Sequence, residues 1–107
     1  MLNDVLDAVG KDIHANKLAK GWKVTTAEDW KDPNEILSAL MLITTEVAEA
    51  AEEVRNDDRE NFAEELADVM ILTIGLAHGM GINLGDAIEA KMAKNRERSY
   101  HHGGKRV

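Results

Sequence analysis

The chain has no cysteine, which excludes a disulfide framework and any thiolate chemistry. It has no excess of basic residues: 13 Lys and Arg face 20 Asp and Glu, for a net charge of −7. That balance argues against a general nucleic-acid binder and against an anionic membrane surface as partner. A small polyanionic ligand is still compatible with it. No apolar run approaches transmembrane length, and the first residues, MLNDVLDAVGKDIH, carry acids among their apolar side chains, unlike a secretory leader. The cytoplasm is therefore the expected compartment. Aromatics are scarce, and both tryptophans, Trp22 and Trp30, fall in one short stretch.

What remains is a helical pattern sized for one domain, residues 1–107. A domain this small gains from a shared interface that buries apolar surface, so oligomerisation is expected. Leu2, Val5, Leu6, Val9, Ile13 and Leu18 follow helical spacing to Lys20, with Asn3 or Asp4 available near the start and Gly21 as the stop. Trp22 to Lys31 has no clear period and is read as an ordered loop, its tryptophans either packing or stacking on a planar ligand. Asp32-Pro33-Asn34-Glu35 predicts a helix start, with Asp32 as cap, Pro33 in the first position and Glu35 closing a capping box. The apolar first half of that helix (Ile36, Leu37, Leu40, Met41, Leu42, Ile43, Val47) predicts a central, buried element. Asn56-Asp57-Asp58 supplies a turn and a cap for a third helix from about Arg59 to Met80. After Gly79-Met80-Gly81 a fourth helix runs from near Asn83 to about Tyr100. The fold class is all-α, an antiparallel four-helix bundle-like domain, with a flexible tail from about residue 101.

Acids occupy places that apolar residues would normally take. With Glu46 at 0°, Glu49 and Glu53 fall near 300° and 340° on a helical wheel, and Ala39, Leu42 and Ile43 continue the stripe. With Glu65 at 0°, Asp68 lies near 300°, on the side of Phe62, Val69, Leu72 and Leu76. A short turn makes the two helices antiparallel neighbours, so the acid pairs can meet. Inward carboxylates need compensation. Lys or Arg partners, shared protons, or a face that is in fact solvated would each suffice; a divalent cation would as well, since hard cations prefer carboxylate oxygen. On the fourth helix Lys91, Asn95 and Arg98 extend the stripe of Leu84, which fits either a snorkelling surface face or a phosphate clamp beside a metal. His101-His102 is a poor metal pair, because adjacent helical residues diverge. The basic residues of the tail could fold over a bound anion.

The combination of Glu46-x-x-Glu49, Glu65-Leu-Ala-Asp68, Lys91-x-x-x-Asn95-x-x-Arg98 and the Gly103-Gly104-Lys105 tail resembles the MazG-type members of the all-α nucleoside triphosphate pyrophosphohydrolase superfamily. The likeness extends from about His14 to Lys105, with Thr45 where the family often writes the first acid of an EExxE run. The resemblance implies hydrolysis of (deoxy)nucleoside triphosphates at the α–β phosphate bond, giving a monophosphate and pyrophosphate, as nucleotide-pool house-cleaning. It implies Mg²⁺, with Mn²⁺ as a substitute, on Glu46, Glu49, Glu65 and Asp68. Lys91, Asn95 and Arg98 would hold phosphates, and either Glu53 or a metal-ligating acid such as Glu46 or Glu49 would deprotonate the attacking water. It implies a homodimer or homotetramer, and contact of His14 and Trp22 with the nucleobase. Two other classes compete. A non-catalytic helical interaction module explains the periodicity and leaves the inward acids unexplained. A redox di-iron bundle normally needs Glu-x-x-His pairs, and Glu49 and Asp68 occupy the positions His would take.

Overall fold

In the computed structural model, which describes residues 1–98, the chain forms four helices: α1 (Leu2–Ala19), α2 (Pro33–Arg55), α3 (Arg59–Gly79) and α4 (Leu84–Glu97). The last helix ends at Glu97, with Arg98 already extended, short of the end near Tyr100 that the sequence suggested; the tail from His101 to Val107 lies outside the described residues. No strand occurs among the described residues.

Each of the first three helices stops by the same device. Gly21, Asp57 and Gly81 adopt left-handed φ values of 69°, 53° and 72°. In each case that residue's N–H and the next one bond back to the helix's last turn, as with Asp57 N to Val54 O and Asp58 N to Glu53 O. Aspartate occupies this conformation more easily than most side chains, though less easily than glycine.

The starts follow the sequence less uniformly. Asp32, Asp58 and Asn83 cap α2, α3 and α4, accepting from the N–H of Asn34, Asn61 and Asp86. The capping box expected at Glu35 does not form: its carboxylate pairs with Lys23 Nζ at 2.7 Å instead, tying the preceding loop to α2. The box appears in that loop. Thr26 N–H donates to Asp29 at 2.7 Å, which folds Ala27–Lys31 into a 3₁₀ turn where only loop was read. Neither Asn3 nor Asp4 caps α1, which begins without a side-chain cap.

α2 and α3 form an antiparallel hairpin, and α1 lies along the second half of α3. A Cβ on Gly10 would sit 2.6 Å from His78 Nδ1, and one on Gly75 3.0 Å from Ile13 Cγ2, so bare backbone sets the α1–α3 spacing. α4 leaves α3 at 111° and packs chiefly on α1. The helix that touches all the others is α3, so the reading of α2 as central and buried is corrected. In α2, Leu37, Leu40, Met41, Leu42 and Val47 are 44–62% exposed. An all-round apolar helix looks the same in sequence whether it is covered by its own chain or by another. The buried apolar residues among those described, Ala50, Ile74 and Ala77, are small in number and mostly lie on α3.

Candidate metal centre

The seam between α2 and α3 places the acids. Along this seam the residues turned from solvent include Ile36, Ala39, Ile43, Glu46, Ala50 and Glu53 on α2, and Phe62, Glu65, Val69 and Leu72 on α3. Steps of three and four are the spacing of two packed helices. Glu46 and Glu65 therefore stand where the seam would otherwise hold hydrocarbon. The turn brings them together: Glu49 and Glu65 each lie eight residues from Asp57, and Glu46 and Asp68 eleven.

One carboxylate oxygen from each of Glu46, Glu49 and Glu65 lies within 4.8 Å of the other two. Glu46 Oε2 and Glu65 Oε2 are closed off from water, and neither has a hydrogen-bond partner. None of the ion pairs among the described residues involves these acids. Of the four compensations open to the sequence, the basic partner thus falls away among the described residues; the solvated face does not account for the buried oxygens of the half-buried Glu46 and Glu65, while Glu49 is exposed. The Glu65 carboxyl is pushed up to about 7, chiefly because the Glu46 carboxyl is close enough to share its proton, then by loss of water and by Glu49. Without a cation, the cluster holds a proton. With one, the three oxygens would turn towards a common cation, the donor set that hard divalent ions prefer. The residues present fit a hard divalent ion.

The other sequence-identified residues are distributed around this centre. Asp68 is exposed, one turn along α3, outside the group of three. Glu53 is half-buried one turn beyond Glu49 and lines a recess of about 190 Å³ with Asp58 and Phe62. Lys91 and Asn95 are exposed along α4, and Arg98 is exposed just past its end, where the backbone is already extended. The structure does not bring them to the carboxylates through any ion pair among the described residues. His14 stands edge-on to His78, with ring centres 5.9 Å apart, and His78 is about 20 Å along α3 from Glu65. Trp22 is 57% exposed beneath the Lys20 ammonium, 4.7 Å away. Within one chain neither His14 nor Trp22 joins the acid cluster.

Comparison with known proteins narrows the chemistry. The sequence model of one family, the MazG nucleotide pyrophosphohydrolase domain, matches residues 34–103. The chain belongs to this family. The match opens in the first turn of α2 and takes in every acid of the cluster together with Lys91, Asn95 and Arg98, leaving α1 and the tryptophan loop outside. A curated relative, a dATP/dGTP diphosphohydrolase of Cyanophage S-2L, is 46% identical over 43 residues, 40% of this chain and 41% of that protein. The similarity thus spans about two-fifths of the relative's length. No solved structure matches the chain.

A contact with no local signature was invisible in the sequence. Asn3 Nδ2 donates to Asp86 Oδ1 at 2.5 Å across 83 residues, joining the first turns of α1 and α4.

Proposed function

We propose that the chain, as a single domain over residues 1–107, hydrolyses nucleoside triphosphates between the α and β phosphates, releasing a monophosphate and pyrophosphate. The observation that carries this reading is the convergence of Glu46, Glu49 and Glu65 with no basic residue among them, in a chain of the MazG family. Glu46, Glu49 and Glu65 would hold the Mg²⁺ or Mn²⁺ ion, with Asp68 joining from the next turn of α3. The ion would supply charge for the triphosphate oxygens and lower the pKa of a bound water.

The chain's own residues do the rest. The seam removes water from one side of Glu46 and Glu65, which strengthens their grip on any cation. Glu53, half-buried next to Glu49, is the candidate to take the water's proton, with a ligating acid such as Glu46 or Glu49 as the other choice. Lys91 and Asn95 share one face of α4, with Arg98 just past its end, and the three would hold phosphate oxygens as charge builds on the leaving pyrophosphate. The acids and their cation let a chain of charge −7 accept a polyanion.

The exposed Leu37, Leu40, Met41 and Leu42 of α2, with Leu66, Met70 and Ile71 of α3, support a homodimer or homotetramer. His14 and Trp22 could reach the base only where a second copy's α1 comes over the α2–α3 hairpin. No single described helix is long and apolar enough to cross a membrane. A cytoplasmic house-cleaning role for the nucleotide pool suits a chain without cysteine, and neither nucleic acid nor membrane is called for.

The test is product analysis by ion-exchange chromatography after incubation with ribo- and deoxyribonucleoside triphosphates, with Mg²⁺ or with EDTA. The relative's name puts dATP and dGTP first in the panel. Monophosphate and pyrophosphate formed only with Mg²⁺ is the expected result. Diphosphate and orthophosphate would move the cleavage to another bond, and no product on any substrate would leave an assembly module. Lys91→Ala is expected to raise KM about tenfold, the loss of one charged contact, while Mn²⁺ binding measured by paramagnetic resonance stays unchanged.

A further inference from the structure

Asp86 is the third residue after the cap of α4, a position from which an acid often reaches back to the cap's own N–H. Asn83 keeps its half of that arrangement, accepting from Asp86 N–H at 3.2 Å. The Asp86 carboxylate turns away and takes Asn3 Nδ2 at 2.5 Å instead. Next to it Gly85 is buried against α1: a Cβ there would run into Asn3 Oδ1 and lie 2.8 Å from Asn3 N and 2.9 Å from its Cα. The backbones touch. Asn3 Oδ1 is sealed in this contact without a hydrogen-bond partner, a cost accepted in exchange for the close approach.

Among the described residues little else fixes α4. It stands at 111° to α3, rests mainly on α1, and is exposed over most of its length. Among the described residues the other side-chain hydrogen bonds stay within four residues of sequence, apart from Lys23 to Glu35, and none joins one helix to another. Asn3 and Asp86, with the glycine beside them, thus form the hinge end of a lever.

We infer that Asn3, Gly85 and Asp86 are positioning residues that aim the phosphate-binding face of α4, an inference that rests on the reading of Lys91 and Asn95 given above. Lys91 and Asn95 lie six and ten residues beyond Gly85, about 9 and 15 Å along the axis. A 10° swing about Gly85 would carry them roughly 1.6 and 2.6 Å, and about 1 Å of misplacement can cost on the order of 10²-fold in rate. None of the three need touch substrate for its loss to be felt.

The experiment exploits the absence of cysteine. Glu60→Cys on α3 and Glu89→Cys on α4, both exposed in the parent, give the only two thiols for spin labels; labelled chain is diluted into unlabelled chain to isolate the within-chain distance. Asn3→Ala is expected to shift or broaden that distance distribution and to raise KM for the triphosphate at least fivefold, with Mn²⁺ affinity changed less than twofold. The exchanged pair, Asn3→Asp with Asp86→Asn, restores a donor–acceptor match and should recover both readouts, which a merely structural role for either residue would not require. An unchanged distance distribution in Asn3→Ala overturns the inference, as does Mn²⁺ affinity falling in step with KM. Absence of turnover in the parent overturns the phosphate role itself, and the distance distribution then decides alone whether this contact directs α4.

Discussion

The inner and outer faces of α2 depart from the pattern of a globular helix in opposite directions. The inner face, packed on α3, carries Glu46 where hydrocarbon belongs and leaves one of its oxygens buried without a partner. The outer face carries Leu37, Met41 and Leu42, each more than half exposed. On the reading proposed above, the inner face would be completed by a hard cation and the outer by an apolar protein surface. Burial alone would have reported a poor core; set against charge, it separates the two faces by the kind of complement each would take.

The sharpest way to break this comparison is on the inner face. Glu49→Gln is expected to lower kcat/KM by at least about 10²-fold, the scale of one preorganised electrostatic contact, with the helical circular dichroism unchanged. Asp68→Asn made in parallel sizes the ligand set: a comparable loss means that Asp68 swings in when the ion binds, and activity within tenfold of the parent confines the centre to the three acids. On the outer face, Met41→Glu should shift the assembly to monomer in sedimentation velocity and lower the melting temperature by several degrees. Glu46→Leu should do the reverse to the metal-free protein, raising its melting temperature by removing a repulsion while ending turnover.

A third test uses the shared proton. The Glu65 carboxyl titrates near 7 in the folded chain against 4.5 unfolded, so between these values the folded state binds more protons. Stability from this group is complete below about pH 4.5 and is lost as pH rises through 7. Melting in EDTA from pH 4.5 to 8, parent minus Glu65→Gln, should show that decline, and Mg²⁺ should offset it above pH 7. The smallest expected effect lies in the turn between α2 and α3. Asp57→Gly, which frees a left-handed position, should stabilise the protein by about 1 kcal/mol or less in urea titration.

Much of the fold was legible because the helices end in local chemistry. Gly21, Gly81, Asp32 with Pro33, and the Asn56-Asp57-Asp58 turn each act within a few residues, so spacing alone located them. The failures share one cause, competition from a distant partner. Glu35 obeys the capping-box pattern in sequence and pairs with Lys23 in space, and Asn3 looks like a cap for α1 and serves α4. The exposure of Leu37 and Met41 was hidden for a related reason, since apolar periodicity does not say whose surface covers it. In the site, Glu46, Glu49 and Glu65 were readable because they interrupt a hydrocarbon seam on two helices joined by a short turn. The place of His14 depends on how α1 crosses α3, and the bare backbone at Gly10 and Gly75 that permits this crossing leaves no periodic trace.

The two contacts that shape the molecule differ in how much chain they must close. Glu49 and Glu65 meet across sixteen residues of sequence, and Asn3 and Asp86 across 83. Loop closure makes the second dearer by about 1.5 kcal/mol of chain entropy, so the hairpin is expected to form first on the way to the native state. The carboxylates would then be brought together, repelling one another, while α1 and α4 are still loose. A cation able to bind them would be expected to speed folding itself instead of merely slowing unfolding.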